Sequence, residues 1–153
     1  GYPEARNYVH NVCMEIINNY DIDGIVMDDY FYAYGGTYSE DAASKALYKP
    51  ANVKDVDKDG TTDDDWRRAN VDSVICNLYK AIQEVKPWVR FGMGVPGNWS
   101  MKAKAAAAYG ISLPSGISAM ESYDYLYCNA VEWAKQGWID YLNPQIYWST
   151  QVT

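Results

Sequence analysis

Apolar residues Tyr8, Val9, Val12, Cys13, Ile16 and Ile17 recur at spacings of three and four. That period predicts an amphipathic helix, with Pro3 and Glu4 in its first turn and an end near Asn18 and Asn19. The pattern then changes: Asp23-Gly24-Ile25-Val26-Met27-Asp28-Asp29 is a short apolar run bounded by glycine and acids, which predicts a buried strand of the parallel type. Residues 30–65 read as mostly loop, with Gly35-Gly36, a short helix around Ser39–Tyr48, Pro50, and an acid-dense run from Asp55 to Asp65. Helical spacing returns in Val71, Val74, Ile75, Leu78, Tyr79, Ile82 and Val85, predicting a helix over Trp66–Lys86 closed by Pro87. Val89–Val95 predicts a second strand, broken by Pro96-Gly97. The Ala-rich stretch Met101–Tyr109 predicts a turn or two of helix. A further helix is expected over Tyr123–Lys135, with Leu126, Ala130, Val131 and Ala134 inward, leading through Gly137 into a strand over Ile139–Tyr147.

Helices alternating with buried strands require crossover connections and hence a parallel sheet. Neither a Gly-x-Gly-x-x-Gly nor a Gly-x-x-x-x-Gly-Lys-Ser/Thr loop follows any strand, so the phosphate cradles of many doubly wound nucleotide binders are missing and a barrel is favoured. A closed (β/α)8 barrel needs about 250 residues. The 153 residues are therefore expected to form a single α/β domain of about three consecutive parallel βα units, an incomplete TIM barrel. The rest of the barrel would come from neighbouring sequence or from oligomerisation.

Composition narrows the chemistry. A formal charge of −7, from 20 acidic and 13 basic residues, supplies no footprint for nucleic acid or an anionic membrane surface. Fifteen tyrosines and six tryptophans against two phenylalanines favour polar-tipped rings, which stack on sugars and bond their hydroxyls, although a Tyr-rich core rim uses the same residues. Cys13, Cys76 and Cys128 have neither zinc nor disulfide-framework spacing, and Cys13 and Cys76 fall in apolar helical patterns that predict burial. His10, the single histidine, sits on a helix away from the strand ends, which disfavours Ser/Cys-His hydrolases and catalytic zinc. No apolar run reaches the roughly 20 residues of a membrane span, and residues 1–20 lack a signal-peptide layout.

The stretches YPEAR at 2–6, YDIDGIVMDDYFY at 20–32, DWRRAN at 65–70, FGMG at 91–94 and GWIDYLNPQIYW at 137–148 resemble glycosyl-hydrolase-like family ten. This is a bacterial group of (β/α)8-barrel glycosidases, often secreted or lipid-anchored and frequent in Bacteroides-type organisms. The resemblance covers nearly the whole chain, and the 55–65 insertion is not among the shared stretches. It implies a hydrolase acting on O-glycosidic bonds of a polysaccharide or glycan, in a secreted, periplasmic or surface-anchored setting, with no cofactor required for catalysis. It also implies that the chain starts after the third barrel strand and stops near the sixth.

Barrel enzymes place reacting groups at the C-terminal ends of strands, which singles out Asp28 and Asp29, with Asp28 favoured to face the barrel mouth. Glycoside hydrolysis uses two carboxylates, one as nucleophile or base and the other as acid. The second is harder to place: Glu121 precedes a predicted helix, and Asp140 sits at the structural end of its strand. The same acids also serve as turn caps or orient an arginine. Gln145, Tyr147 and Trp148 at the third strand's end, Asn98 and Trp99 after the second, and Tyr30 and Tyr32 after the first are candidate sugar contacts or ordinary rim packing.

Asp55-Val56-Asp57-Lys58-Asp59-Gly60-Thr61, with Asp63 two residues on, reproduces positions one to nine of a calcium loop. Trp66 stands where the bidentate acid belongs, so a structural calcium and a solvated acidic loop both fit. The competing functional reading is a non-catalytic carbohydrate-binding barrel or an inactive fragment, with the aromatic platform but no complete acid/base pair.

Overall fold

The computed structural model describes residues 1–35, 39–116, 118–147 and 149. In chain order the elements are α1 (Pro3–Asn19), β1 (Gly24–Met27), a 3-10 turn (Ser39–Asp41), α2 (Ala42–Tyr48), α3 (Thr62–Val85), β2 (Arg90–Pro96), α4 (Ala103–Ala108), α5 (Ser122–Tyr125), α6 (Ala130–Gln136) and β3 (Tyr141–Gln145). The fold is α/β, with a three-stranded parallel sheet in the order β1-β2-β3. Gly24 pairs with Arg90 and Met27 with Met93, while Gly92 pairs with Tyr141 and Pro96 with Gln145. All three C-terminal strand ends therefore lie along one edge, as successive crossovers require.

The core forms where α3 covers β2. Val71, Ile75, Leu78 and Ile82 project from one stripe of α3 and are buried with Val89, Phe91, Met93 and Val95. Such spacing is the amphipathic signature that marked this helix in the sequence. Gly92 is needed for packing, since a Cβ there would lie 2.1 Å from the Tyr141 ring. Asp140, at the N-terminal end of β3, accepts the Phe91 amide at 2.8 Å and Arg90 Nη1 at 3.2 Å. It locks the sheet's base, the structural role its position predicts.

Several local expectations are corrected. α3 starts at Thr62 rather than Trp66, because Asp63, Asp64 and Asp65 occupy its first turn, where carboxylates complement the helix dipole. The helix expected over Tyr123–Lys135 is two helices: Tyr127 has φ 56, and Leu126, Tyr127 and Cys128 are buried consecutively, which one helical face cannot achieve. Ala134 is exposed, and Trp133 takes the buried position. Val85, at the end of α3, is also exposed, as are Tyr8, Val9, Val12 and Ile16 on α1, where Ile17 is the buried residue. Cys13 and Cys76 are half-buried, whereas Cys128 is buried and its thiol is pushed up to about 12 by burial.

Asp72 on α3 accepts Trp133 Nε1 at 2.6 Å and so ties α6 to α3. Burial pushes its carboxyl up to about 7; the bonds from Trp133 and Asn129 pull it down, and the Glu132 charge adds to the rise. A folded pKa above the unfolded value of about 3.9 gives stability that is fully present below pH 4 and lost as pH rises towards 7. Asp72→Asn keeps an acceptor for Trp133 and removes this titration. The variant is expected to gain on the wild type by about 2 kcal/mol between pH 4 and pH 7, with part of the shift discounted for solvent at its rim. Urea denaturation across that range checks it, and a constant difference between the two proteins would refute it.

Candidate active site

β1 ends at Met27, so Asp28 and Asp29 lie just past the regular strand, and strict alternation between two faces no longer governs them. Asp28 is exposed, and its Oδ1 accepts Gln145 Nε2 at 2.7 Å and the Asp29 amide at 2.9 Å. The bond to Gln145 spans the sheet edge from β1 to β3. It passes over Gly94 of β2, where a Cβ would sit 3.6 Å from both atoms, so a side chain longer than a methyl group would push between them.

Asp29 is buried, and its Oδ2 accepts the Tyr34 hydroxyl. Burial raises the Tyr34 hydroxyl above the ordinary tyrosine range, and donation to Asp29 raises it further, so Tyr34 stays a donor at neutral pH. Asp29, Tyr34, Asn98, Met120, Gln145 and Tyr147 line a cavity of about 440 Å³ at the C-terminal edge of the sheet. Tyr147 is 85% exposed, with its ring face available at the rim. Trp148 lies outside the described residues.

Other predicted site residues are placed elsewhere. The Trp99 ring packs edge-on against Tyr123 at 5.3 Å and Tyr109 at 5.5 Å rather than lining this cavity. Tyr30, 76% exposed, and the half-buried Tyr32 line a second, mostly apolar cavity of about 380 Å³ together with Met27, Phe31 and Val71. Tyr32 stacks edge-on against Tyr127 at 4.7 Å. Glu121 Oε2 accepts Ser100 Oγ at 3.1 Å and the Met101 amide at 2.5 Å, bracing the segment after β2 against the start of α5. Asp55, Asp57 and Asp59 converge, with oxygens within 4.8 Å of one another, and Thr61 Oγ1 donates to Asp59. Asp63 is drawn away into ion pairs with Lys45 and Lys49.

Sequence reasoning missed Tyr34, although a signal was present: Tyr30, Tyr32 and Tyr34 alternate directly after the acid pair. It also missed Gly94, whose lack of a side chain leaves room for the Asp28–Gln145 bond. Chemically, the cavity offers one carboxylate, Asp29, with an amide and an exposed ring, and Asp28 stands beside it bonded to that amide, a set suited to holding a polyhydroxylated ligand.

A family model described as "Glycosyl hydrolase-like 10" matches residues 1–153. The glycosyl hydrolase YngK of Bacillus subtilis (strain 168) is 36% identical over 150 residues, which cover 97% of this chain and 27% of that protein. The glycosyl hydrolases DigH of Escherichia coli (strain K12) and of Shigella flexneri are 30% identical over 149 residues, covering 97% of this chain and 31% of theirs. The chain thus spans between a quarter and a third of the length of these relatives.

Proposed function

The chain belongs to the glycosyl hydrolase-like 10 family, and from that premise we propose that it forms the carboxylate-bearing part of a (β/α)8-barrel glycoside hydrolase acting on the O-glycosidic bonds of a polysaccharide or glycan. The observation that carries this reading is the Asp28–Gln145 bond at the C-terminal ends of parallel strands, where barrel enzymes hold their reacting groups, beside a cavity that Asp29, Gln145 and Tyr147 line. The parallel β1-β2-β3 sheet is then three consecutive strands of the barrel.

In this mechanism Asp28 is the carboxylate that meets the sugar. It is exposed, and Gln145 and the Asp29 amide fix its orientation so that the other oxygen faces the substrate. Asp29, held by Tyr34, lines the cavity and accepts hydroxyls of the bound sugar, while the Tyr147 ring stacks on its face. Glu121 is committed to bracing the segment at 100–101, so the proton donor comes from another part of the barrel. The protein is expected outside the cytoplasm, where polymeric glycans are met. Among the described residues no helix is long and apolar enough to cross a membrane.

A second reading, a carbohydrate-binding barrel without turnover, is favoured by one observation: Asp29 is the only acid among the described residues that line the cavity. Reducing-sugar release from a broad glycan panel by the full-length protein separates the two. Release is expected for at least one glycan. Saturable glycan binding with no release from any member would establish the binding barrel instead.

A further inference from the structure

We propose that Asp55, Asp57 and Asp59 form a calcium site that clamps the loop ahead of α3 onto α5. The three carboxylates each offer an oxygen, all within 4.8 Å of one another. They alternate along Asp55-Val56-Asp57-Lys58-Asp59-Gly60, and the left-handed conformations of Lys58 (φ 60) and Gly60 (φ 87) curl the chain so that alternate side chains turn inward. Hard oxygen donors at this density suit calcium, which takes six to eight oxygens in flexible geometry; carbonyls and water complete the shell.

A cluster of acids alone would be an ordinary solvated loop. The independent observation is Asp57. Its side chain has 0% exposure, and its buried Oδ2 accepts no hydrogen bond. A buried carboxylate oxygen with no hydrogen-bond donor costs several kcal/mol of lost hydration, so such atoms are retained where a cation meets them closely. Arg68 Nη2 stands 3.9 Å from this oxygen but is already bonded to Asp65 at 2.9 Å, and Arg68 Nη1 is bonded to Asp124 at 2.8 Å. Lys102 Nζ reaches Asp59 only at 4.0 Å and binds Asp124 at 2.7 Å. Four carboxylates, Asp57, Asp59, Asp65 and Asp124, thus share two cations, and a divalent ion supplies the missing positive charge where Asp55 joins Asp57 and Asp59. Arg68 and Lys102 connect the same loop to Asp124 of α5, so the ion would stiffen the support beneath Glu121 and the 100–101 segment.

The geometry differs from what the linear pattern implies. Asp63, the ninth position of a calcium loop, is paired with Lys45 and Lys49 and lies outside the three-carboxylate group. The two versions of the site therefore make opposite forecasts for one substitution.

The test is calorimetric titration of the chelator-stripped, full-length protein with calcium chloride, with thermal melts alongside. One saturable site is expected, with a dissociation constant between about 1 µM and 1 mM and a rise in melting temperature of several degrees at saturation. Asp57→Asn and Asp59→Asn should each weaken affinity by about tenfold or more, and Asp63→Asn should leave it within about twofold. Asp59 lies half-buried on the loop, so its variant remains informative where Asp57→Asn does not fold. No heat and no melting shift at about 10 mM calcium would overturn the proposal. A loss in Asp63→Asn as large as that in Asp59→Asn would overturn the three-carboxylate site in favour of the linear loop. Both readouts are independent of glycan turnover, so they stand apart from the hydrolase reading.

Discussion

Asp28→Asn is expected to lower glycan turnover by about 10²–10⁴-fold while leaving glycan binding within a few-fold of wild type. Asparagine has nearly the shape of aspartate, and its side-chain oxygen still accepts from Gln145 Nε2 and the Asp29 amide, so the strand end keeps its geometry. What disappears is the negative charge that, in the proposed mechanism, would attack or activate at the sugar's anomeric centre, an interaction needed mainly in the transition state. Gln145→Ala should act on the same step more weakly, by about 10–100-fold in kcat with KM little changed. It frees Asp28 to wander but leaves its charge in place. Asp29→Asn should raise KM as well, because Asp29 lines the cavity with Tyr34 and Tyr147. Steady-state kinetics on the most active glycan, with binding of the same glycan by calorimetry, distinguishes these outcomes. Wild-type kcat in both Asp28→Asn and Asp29→Asn would remove the carboxylate pair from the chemistry.

The acid pair was legible in the sequence because strand periodicity and chemistry coincide there: an apolar run that ends in two aspartates leaves them at a strand terminus. The α3 stripe was legible for the same reason, since one period reports one buried face. The directions that side chains take once the regular period stops were not legible. Trp99 turns into the cluster of Tyr109 and Tyr123, and Tyr34 comes back to Asp29; both follow from loops whose course is set by distant packing. Asp63 shows the limit most sharply. Local spacing makes it a calcium ligand, yet Lys45 and Lys49 on α2 and just beyond it, 18 and 14 residues earlier, hold it in ion pairs. The break between α5 and α6 was hidden because Leu126, Ala130 and Val131 preserve helical spacing across Tyr127, whose left-handed backbone interrupts the helix.

Arg68→Met should destabilise the protein by about 3–5 kcal/mol, the cost of removing one partner from a buried ion network. Arg68 is 2% exposed. It donates to Asp65 at 2.9 Å and Asp124 at 2.8 Å, stands 3.9 Å from Asp57, and lies over the Tyr123 ring at 4.1 Å. Methionine replaces most of the aliphatic volume and keeps contact with the ring, so the loss is chiefly electrostatic: three carboxylates with side-chain exposures of 3%, 12% and 0% are left without their shared cation. Adding Asp65→Asn to Arg68→Met removes one uncompensated charge and should recover part of the loss, a coupling of about 0.5–3 kcal/mol in the double-mutant cycle. Saturating calcium should narrow the gap between Arg68→Met and wild type, because Asp57 belongs both to the Arg68 network and to the loop that the ion would clamp. Urea denaturation with and without calcium measures all three quantities. A cost below about 1 kcal/mol for Arg68→Met would mean that these acids meet water or another cation in solution, and the network would then not be what joins the 55–61 loop to α5.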